Sequence, residues 1–214
     1  MRINSGILGR RTFNVPKDGL RPTMEQAREA VFSSLAARVP GARVLDLFAG
    51  SGSFGLEAWS RGAASVTAVE NVSKHWKILQ ENFQTLDPAR PDFSASRRKG
   101  DAFSQGSEKQ NGAGLACFQG LENEKLGQWE VVQADVYDYL KRPVGPFDLV
   151  FADPPYDEAD LPKLLETLRG VLAPGGLLVF EMRSRGAYSL PADWNLIKEK
   201  RYGGTRMLFL EQSK

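Results

Sequence analysis

The chain runs Arg43-Val44-Leu45-Asp46-Leu47-Phe48-Ala49-Gly50-Ser51-Gly52-Ser53-Phe54-Gly55, an apolar stretch that passes into a glycine loop, and continues with Leu56-Glu57-Ala58-Trp59. The apolar stretch predicts a buried strand, and the residues after the loop predict the start of a helix. Gly50, Gly52 and Gly55 match the pattern G-x-G-x-x-G, in which glycine lets the backbone approach a ligand closely. Because the N-terminus of a helix favours electron-rich groups, this unit predicts a nucleotide-like ligand at the end of the first strand.

Strands and helices alternate along the rest of the chain. We predict strands over residues 43–48, 65–70, 130–134, 147–152 and 177–182, and helices over residues 53–61, 73–86, 135–141 and 159–172. This alternation predicts a parallel sheet with helices on both faces, and Pro174-Gly175-Gly176 predicts a turn that ends the last helix. Residues 194–201 and 205–210 surround Gly203-Gly204 and predict an antiparallel hairpin, so the seven-stranded, mostly parallel sheet resembles the class I methyltransferase fold.

The N-terminal part is predicted to add a β-hairpin and a helix to this sheet. Residues 2–15 alternate weakly and contain Gly6 and Gly9, and apolar residues recur at helical spacing from Ala27 to Val39. Residues 1–28 hold six basic side chains against two acidic ones, although the whole chain has a formal net charge of only +2. A basic hairpin arm over residues 1–22 on a nearly neutral protein predicts a local contact with phosphates, although a solvated surface strand would look the same.

A second motif, Asp153-Pro154-Pro155-Tyr156, directly follows the predicted strand at residues 147–152. Open α/β sheets bind their ligands at the carboxyl ends of the strands. The two prolines stiffen the turn, so the Asp153 carboxylate and the backbone carbonyls can accept hydrogen bonds from an amino group, and Tyr156 can stack on a flat base. The motif therefore predicts a catalytic site that acts on an exocyclic amine.

Asp46 and Glu70 distinguish between the ligands that a glycine loop can hold. Asp46 lies inside the first strand, where its carboxylate would attract the ammonium of a methionine moiety and repel a phosphate. Glu70 ends the second strand and suits a ribose diol. Together with the downstream motif, which has no role in hydride transfer, these residues favour S-adenosylmethionine over a nicotinamide cofactor.

The two motifs together resemble those of the bacterial 16S rRNA guanine-N2 methyltransferases of type D. The resemblance covers nearly the whole chain apart from one segment, and the narrower matches lie in the following stretches: Arg2-Ile3, Gly9-Arg10-Arg11, Gly19-Leu20-Arg21-Pro22-Thr23, Arg28-Glu29, Phe32, Gly55-Leu56-Glu57-Ala58, Ser60-Arg61-Gly62-Ala63 and Lys200-Arg201-Tyr202-Gly203-Gly204-Thr205. It implies methyl transfer from S-adenosylmethionine to the N2 amine of a guanine in 16S rRNA, with Asp153, Pro154, Pro155 and Tyr156 as the catalytic residues.

Position along the fold predicts the remaining contacts. The expected cofactor-binding residues are Asp46, Phe48, Gly50, Gly52, Glu70, Asn71, Asp135 and Val136. Asp135 would accept from the adenine amine, although it could equally cap the helix that begins there. The expected RNA-binding residues are Arg2, Arg10, Arg11, Arg21 and Thr23, the last two because they resemble family positions near the mouth of the site.

Composition excludes several classes of protein. A chain of 214 residues suggests one domain, and a single cysteine (Cys117) and a single histidine (His75) exclude a disulfide framework and a metal-ligand cluster. Without an apolar signal or membrane-spanning segment, we expect a monomeric cytoplasmic protein that does not bind membranes. Residues 88–128 are rich in glycine, serine, glutamine and asparagine, which predicts a flexible insertion rather than an added RNA or protein contact through Arg97-Arg98-Lys99.

Two other functions remain open at this point. The first is methylation of a different amino group, on DNA adenine or protein glutamine, but 214 residues leave no room for a DNA-reading domain, and glutamine enzymes typically begin the motif with asparagine instead of Asp153. The second is a non-enzymatic RNA-binding module, which the intact motifs argue against. For the rRNA enzyme, we expect 30S particles or their assembly intermediates as the partner.

Overall fold

The computed structural model describes residues 1–16, 22–89, 126–155 and 160–213, with only the backbone described for residues 22–24. The helices are α1 (Pro22–Ser34), α2 (Ser53–Ser60), α3 (Ser73–Leu86), α4 (Val136–Leu140) and α5 (Leu161–Thr167). The strands are β1 (Arg43–Leu47), β2 (Ser65–Glu70), β3 (Gln128–Gln133), β4 (Phe147–Ala152), β5 (Leu172–Arg183), β6 (Trp194–Tyr202) and β7 (Thr205–Gln212).

The strands form a seven-stranded sheet in the order β3-β2-β1-β4-β5-β7-β6. β1 pairs in parallel with β2 and β4, whereas β7 is antiparallel to both β5 and β6. The predicted mostly parallel sheet with an antiparallel C-terminal hairpin is therefore confirmed. The edge at which the parallel strands end, called the carboxyl edge below, is where the chain leaves β1, β2 and β4 toward the next helix.

Two apolar layers hold the helices on opposite faces of the sheet. Helices α1, α2 and α3 pack on the face that contains Val44, Phe151 and Val179. Helices α4 and α5 pack on the other face, against alternate residues such as Leu45 and Val150. Because successive residues of a strand point to opposite faces, the nearly continuous apolar sequence of these strands follows from burial on both sides.

Strand β5 differs most from its predicted bounds. The strand was predicted at residues 177–182 and the helix before it at 159–172, but α5 ends at Thr167 and β5 begins at Leu172. Pro174-Gly175-Gly176 consequently lies within β5, where the pairing with β4 jumps from Phe147–Leu172 to Leu149–Leu177. Proline cannot donate to a ladder and glycine tolerates a bulge, so this turn sequence loops out of the strand instead of ending the helix.

The N-terminal segment folds back on itself as an irregular hairpin, with an antiparallel bridge between Arg2 and Thr12. Backbone hydrogen bonds also join Ile3 to Arg10 and Arg11, and Met1 to Phe13. Side chains of α1 and α2 hold this fold-back against the sheet domain. Arg28 of α1 is 2% exposed, and its guanidinium donates to the carbonyl of Arg2 and lies 3.7 Å from Glu57 of α2. Glu57 also accepts from the backbone N–H of Asn4 at 2.8 Å. A side-chain network between α1 and α2 thus supplements the backbone pairing of this segment.

Residues 90–125 of the predicted insertion at 88–128 lie outside the described residues. The residues at its two ends, 88–89 and 126–128, are described and contact the rest of the chain. Ala89 N–H donates to Asp87 Oδ1 at 2.9 Å, and Gly127 O accepts from Trp59 Nε1 at 2.7 Å. Trp129 Nε1 donates to Asp87 Oδ2 at 2.9 Å, which brings the two flanks of the segment together.

Among the described residues, every helix is too short or too polar to cross a lipid bilayer.

Candidate functional site

Side chains from three adjacent strands meet at the carboxyl edge. The chain places β2 and β3 on one side of β1 and then crosses to the other side of β1 to form β4. This reversal of strand order opens a crevice between β1 and β4 at the carboxyl edge. Asp46 lies near the end of β1, Glu70 ends β2, and Asp153 directly follows β4. These are three of the four acidic residues that sequence analysis placed in the site, and the sheet brings them together; the fourth, Asp135, follows β3.

Asp46 is the most deeply buried of the three, with 3% of its surface exposed. Its Oδ2 accepts a hydrogen bond from the backbone N–H of Gly55, in the first turn of α2, at 2.8 Å. Burial raises the pKa of Asp46, the Gly55 hydrogen bond opposes that rise, and the neighbouring Asp153 and Glu70 carboxylates add to it, so that the pKa reaches about 8. The site therefore holds one carboxyl group whose charge a cationic ligand would stabilise.

The glycine loop between β1 and α2 has an unusual backbone. Phe48, Gly50 and Gly52 all have positive φ, at 57°, 56° and 83°. A Cβ on Gly52 would lie 2.5 Å from Leu79 Cδ1, whereas a Cβ on Gly50 would meet nothing nearer than the Phe48 carbonyl oxygen at 4.0 Å. Gly52 thus packs closely on α3, where an added Cβ would force Leu79 to shift, and Gly50 leaves open space beside the crevice. The left-handed conformation of Phe48, a residue without glycine's freedom, is the kind of strain found at ligand sites.

Glu70 holds the loop in place from the end of β2. Its Oε2 accepts from Gly50 N–H at 2.8 Å and its Oε1 accepts from Val72 N–H at 2.7 Å. Each carboxylate oxygen has a second acceptor position, so these two bonds are compatible with further donors such as hydroxyl groups. Asn71, between Glu70 and Val72, is exposed at the same edge.

Asp135 is the N-cap of α4, as the alternative interpretation of this residue held. Its Oδ1 accepts from the backbone N–H groups of Tyr137 and Asp138, at 2.9 and 3.1 Å, so Oδ2 takes part in neither of these two bonds. Val136 begins α4 and is buried. Both residues follow β3 at the carboxyl edge, on the far side of β2 from Asp46.

The Asp153 motif begins where β4 ends. Asp153 is half-buried, Pro154 is buried and Pro155 is exposed, so the turn passes from the core to the surface within three residues. Ala152 pairs with Leu47 of β1 and with Phe180 of β5, which fixes the start of this turn between two strands. Tyr156 lies outside the described residues.

The predicted RNA-binding residues do not gather at this edge. Leu8 N–H donates to Ser60 Oγ at 2.9 Å, and Arg10 N–H donates to the Ile3 carbonyl at 2.8 Å. Ser60 ends α2, a helix that starts at the carboxyl edge and runs back along the sheet. The turn that carries Arg10 therefore lies toward the opposite end of α2 from Asp153. Arg2, Arg11 and Thr12 belong to the same fold-back, Thr23 lies in the first turn of α1, and Arg21 is outside the described residues.

Asn82 of α3 links the N-terminal segment to the glycine loop and was absent from the sequence-based set. Its side-chain amide accepts from Asn14 N–H at 2.9 Å, and donates to the carbonyl oxygens of Asn14 and Ser51 at 2.8 and 2.9 Å. The available signal was a polar residue on the apolar stripe of α3, which Leu79, Phe83 and Leu86 otherwise form.

Comparisons with known proteins agree with this geometry. Residues 1–116 and 95–211 match the family described as conserved hypothetical protein 95. The chain is 31% identical over 204 residues to the "Ribosomal RNA small subunit methyltransferase D" of Escherichia coli strain K12, covering 94% of this chain and 84% of that protein. The protein of the same description from Haemophilus influenzae is 31% identical over 210 residues, covering 95% of this chain and 89% of that protein.

A solved structure has the same fold along its whole length. The putative methyltransferase yhhF from Escherichia coli superposes with a TM-score of 0.74 and 29% sequence identity, covering 100% of this chain and 98% of that one. A putative methylase from Haemophilus influenzae superposes with a TM-score of 0.69 and 27% identity, covering 100% and 98% of the two chains.

Proposed function

The chain belongs to the family that includes the ribosomal RNA small subunit methyltransferases D, and from this premise we propose that it methylates the exocyclic N2 amine of a guanine in small-subunit rRNA. The observation that carries the proposal is the arrangement at the carboxyl edge. Asp153 and Pro154 leave β4 directly beside the strand that holds the buried Asp46 and the glycine loop. An amine acceptor and a site for its methyl donor are thereby adjacent.

The methyl donor is S-adenosylmethionine, and the residues present fit it. The open space at Gly50 and the strained Phe48 leave the loop able to accept a ligand. The surrounding carboxylates suit a ligand that carries a cationic sulfonium and ammonium, whereas they would repel the pyrophosphate of a dinucleotide. When bound, S-adenosylmethionine supplies a methyl group that an amine can attack directly.

The chain's own residues would divide the binding of the donor. Asp46 and the loop at Gly50 and Gly52 would hold its methionine end, and Glu70 would accept from the ribose hydroxyls with the oxygen positions that its two backbone bonds leave. Asp135 would accept from the adenine amine through Oδ2, since its two capping bonds end on Oδ1. Phe48, Asn71 and Val136 flank these groups along the same edge.

The Asp153 carboxylate and the carbonyl of Pro154 would accept hydrogen bonds from the two N–H groups of the guanine N2 amine. The nitrogen lone pair is conjugated with the base, and acceptors on both N–H groups localise it and stabilise the positive charge that develops on nitrogen during attack. The amine needs no prior deprotonation, because its proton becomes acidic only once the new N–C bond forms. Asp153 can then take that proton, and most of the remaining rate comes from holding the two reactants in line.

The decisive experiment is methyl transfer from tritiated S-adenosylmethionine to 30S particles that lack this modification, followed by digestion to nucleosides. We expect labelled N2-methylguanosine, and labelled N6-methyladenosine or label in protein would contradict the proposal.

A second experiment compares these particles with naked 16S rRNA as the substrate. Since a folded particle presents one fixed shape and free RNA samples many, we expect faster methylation of the particles, and equal rates would contradict that substrate preference.

A further inference from the structure

The antiparallel hairpin turns at the same edge of the sheet as Asp153. β4 and β5 run in parallel with Ala152 beside Phe180, so the turn at Asp153 lies next to the last residues of β5. Arg183 ends β5 and pairs with Thr205, while Arg201 of β6 pairs with Arg206 of β7. One strand step of two residues is roughly 7 Å, which places the end of β5 within the span of a few nucleotides of the reacting group.

Three arginines are presented at this position, and we call Arg183, Arg185 and Arg201 the carboxyl-edge arginines. All three are exposed, and Arg201 has 63% of its side chain accessible to solvent. They come from two different parts of the chain, the end of β5 and the end of β6, which lie at the same edge of the sheet with β7 between them. The register directs Arg183 and Arg201 to opposite faces, so the arginines flank this edge. The stretch Lys200-Arg201-Tyr202-Gly203-Gly204-Thr205, singled out in the sequence, supplies the second of these parts.

Hydrogen bonds and ion pairs around Glu199 connect the loop after β5 with the hairpin of β6 and β7. Glu199 Oε1 accepts from Arg201 Nε at 2.7 Å and lies 3.7 Å from Arg206 Nη1, while Oε2 accepts from Tyr188 OH at 3.2 Å. The buried Arg206 also donates to the Gly186 carbonyl and lies over the Tyr188 ring at 4.9 Å. The loop that follows Arg185 is therefore tied to the hairpin, and the arginines project from a supported backbone.

Helix α1 begins at this edge as well. Lys198 Nζ lies 3.4 Å from Ser34 Oγ, and Lys200 Nζ donates to the Ala30 carbonyl at 3.0 Å. Residues nearer the end of β6 thus contact residues nearer the start of α1. The backbone of the first turn of α1 therefore lies toward the Tyr202 end of β6. Of the described residues predicted to contact RNA, Thr23 is at the end of α1 nearer this edge, whereas Arg10 lies toward the opposite end of α2.

Electrostatics requires a basic surface close to this pocket. Asp46, Glu70 and Asp153 suit a cationic donor and an amine, but their charges would repel the phosphates on either side of an extruded nucleotide. We infer that the carboxyl-edge arginines bind the RNA backbone beside the target nucleotide and hold that nucleotide over Asp153. The inference rests on the proposed function for the class of substrate, and it assigns the main phosphate contacts to this surface instead of to the N-terminal fold-back.

The test measures the salt dependence of binding to radiolabelled naked 16S rRNA between 50 and 300 mM KCl. The full-length variants are Arg183→Gln, Arg185→Gln, Arg201→Gln and the triple variant. Each arginine that contacts a phosphate should lower the slope of log affinity against log salt by about 1, so the triple variant should bind roughly 10²-fold more weakly at 150 mM salt. Arg201→Lys, which keeps the charge, should retain most of the slope.

The matched control is Arg142→Gln, an exposed arginine that follows α4 and precedes β4 at the opposite end of the sheet. Its slope should equal that of the unmodified chain. An unchanged slope in the triple variant, an equal loss in Arg142→Gln, or a larger loss in Arg10→Gln than in the triple variant would overturn the inference. Methylation by the unmodified chain is measured separately. Salt-dependent binding through these arginines without methyl transfer would reject the proposed function and keep the surface.

Discussion

Asp46 is a carboxyl group that the fold keeps in an unfavourable place. Its pKa rises from 3.8 to about 8, first because of burial. A carboxyl group with a raised pKa binds its proton more tightly in the folded chain than in the unfolded one. The folded state is therefore favoured while Asp46 is protonated, and this contribution is lost as pH rises from about 4 to about 8.

The first prediction is that Asp46→Asn removes this pH dependence. In the unmodified chain the free energy of unfolding should fall by up to about 1.4 kcal/mol per pH unit through this window because of Asp46. Asparagine does not titrate and its carbonyl can still accept from Gly55 N–H. Urea unfolding of both proteins between pH 5 and pH 8 measures the difference in slope, and parallel curves would show that Asp46 is not the cause.

Asp153 carries the second prediction. Asp153→Ala should lower the rate of methyl transfer by about 10²-fold or more, as expected when one hydrogen-bonding group of the transition state is lost. Asp153→Asn keeps one acceptor oxygen and should lose less. Affinity for S-adenosylhomocysteine, measured by calorimetry, should change little in either variant. Near-normal turnover of Asp153→Ala would assign the acceptor role to another residue.

At the scale of elements, the turn from β1 into α2 depends on glycine for two separable reasons. Gly52 has a φ of 83° and its added Cβ would strike Leu79 on α3, whereas Gly41 has a φ of 77° and open space around it. Gly41→Ala should therefore cost only the left-handed backbone strain, about 1–2 kcal/mol. Gly52→Ala should cost more and should also weaken cofactor binding. Chemical unfolding of both variants compares them, and equal losses would mean that the contact with α3 relaxes freely.

The elements that sequence predicted well are those whose signals are local. The strand from Arg43, the glycine loop and α2 have a continuous pattern, and their predicted bounds differ from the observed ones by one residue. Pro174-Gly175-Gly176 carried an equally strong turn signal, but β4 pairs with residues on both sides of it, Leu172 and Leu177, so it lies within β5. Tertiary hydrogen bonds decided that outcome, and they leave no local trace.

The site shows the same division. Asp46, Glu70 and Asp153 follow predicted strands, so parallel pairing was enough to predict that they meet. The position of the N-terminal arginines could not be predicted in this way, because it depends on Arg28, Glu57 and Ser60, which contact the fold-back from other elements. Asn82 escaped for the same reason, since Asn14 and Ser51 are distant in sequence.

At the scale of the whole molecule, residues 90–125 should be dispensable for folding and methylation. Their flanks already contact each other through Asp87 and Trp129, and closing a shorter loop costs little. A Gly/Ser linker of about 12 residues should leave the melting temperature and the methylation rate close to those of the full chain. Differential scanning calorimetry and the tritium assay measure both.

The matched control removes residues 88–128 with the same linker. Beyond residues 90–125 it deletes Pro88, Ala89, Leu126, Gly127 and Gln128, and with them the Gly127 carbonyl that accepts from Trp59 Nε1. A buried donor left without a partner costs about 1–3 kcal/mol, so this variant should melt at a lower temperature. Similar melting of the two variants, or loss of folding in the first, would contradict the assignment of the boundary.

The Asp87–Trp129 hydrogen bond also marks where the backbone can be interrupted. β1 and β2 precede residues 90–125, and β3 and β4 follow them. The pairings of β2 with β3 and of β1 with β4 therefore join the two parts of the chain laterally, and neither pairing needs a peptide link across residues 90–125. Two separately synthesised halves could therefore reassemble on mixing. The first half would carry Asp46 and the glycine loop, and the second would carry Asp153. Neither would be active alone, so methyl transfer would report directly that the two halves had reassembled.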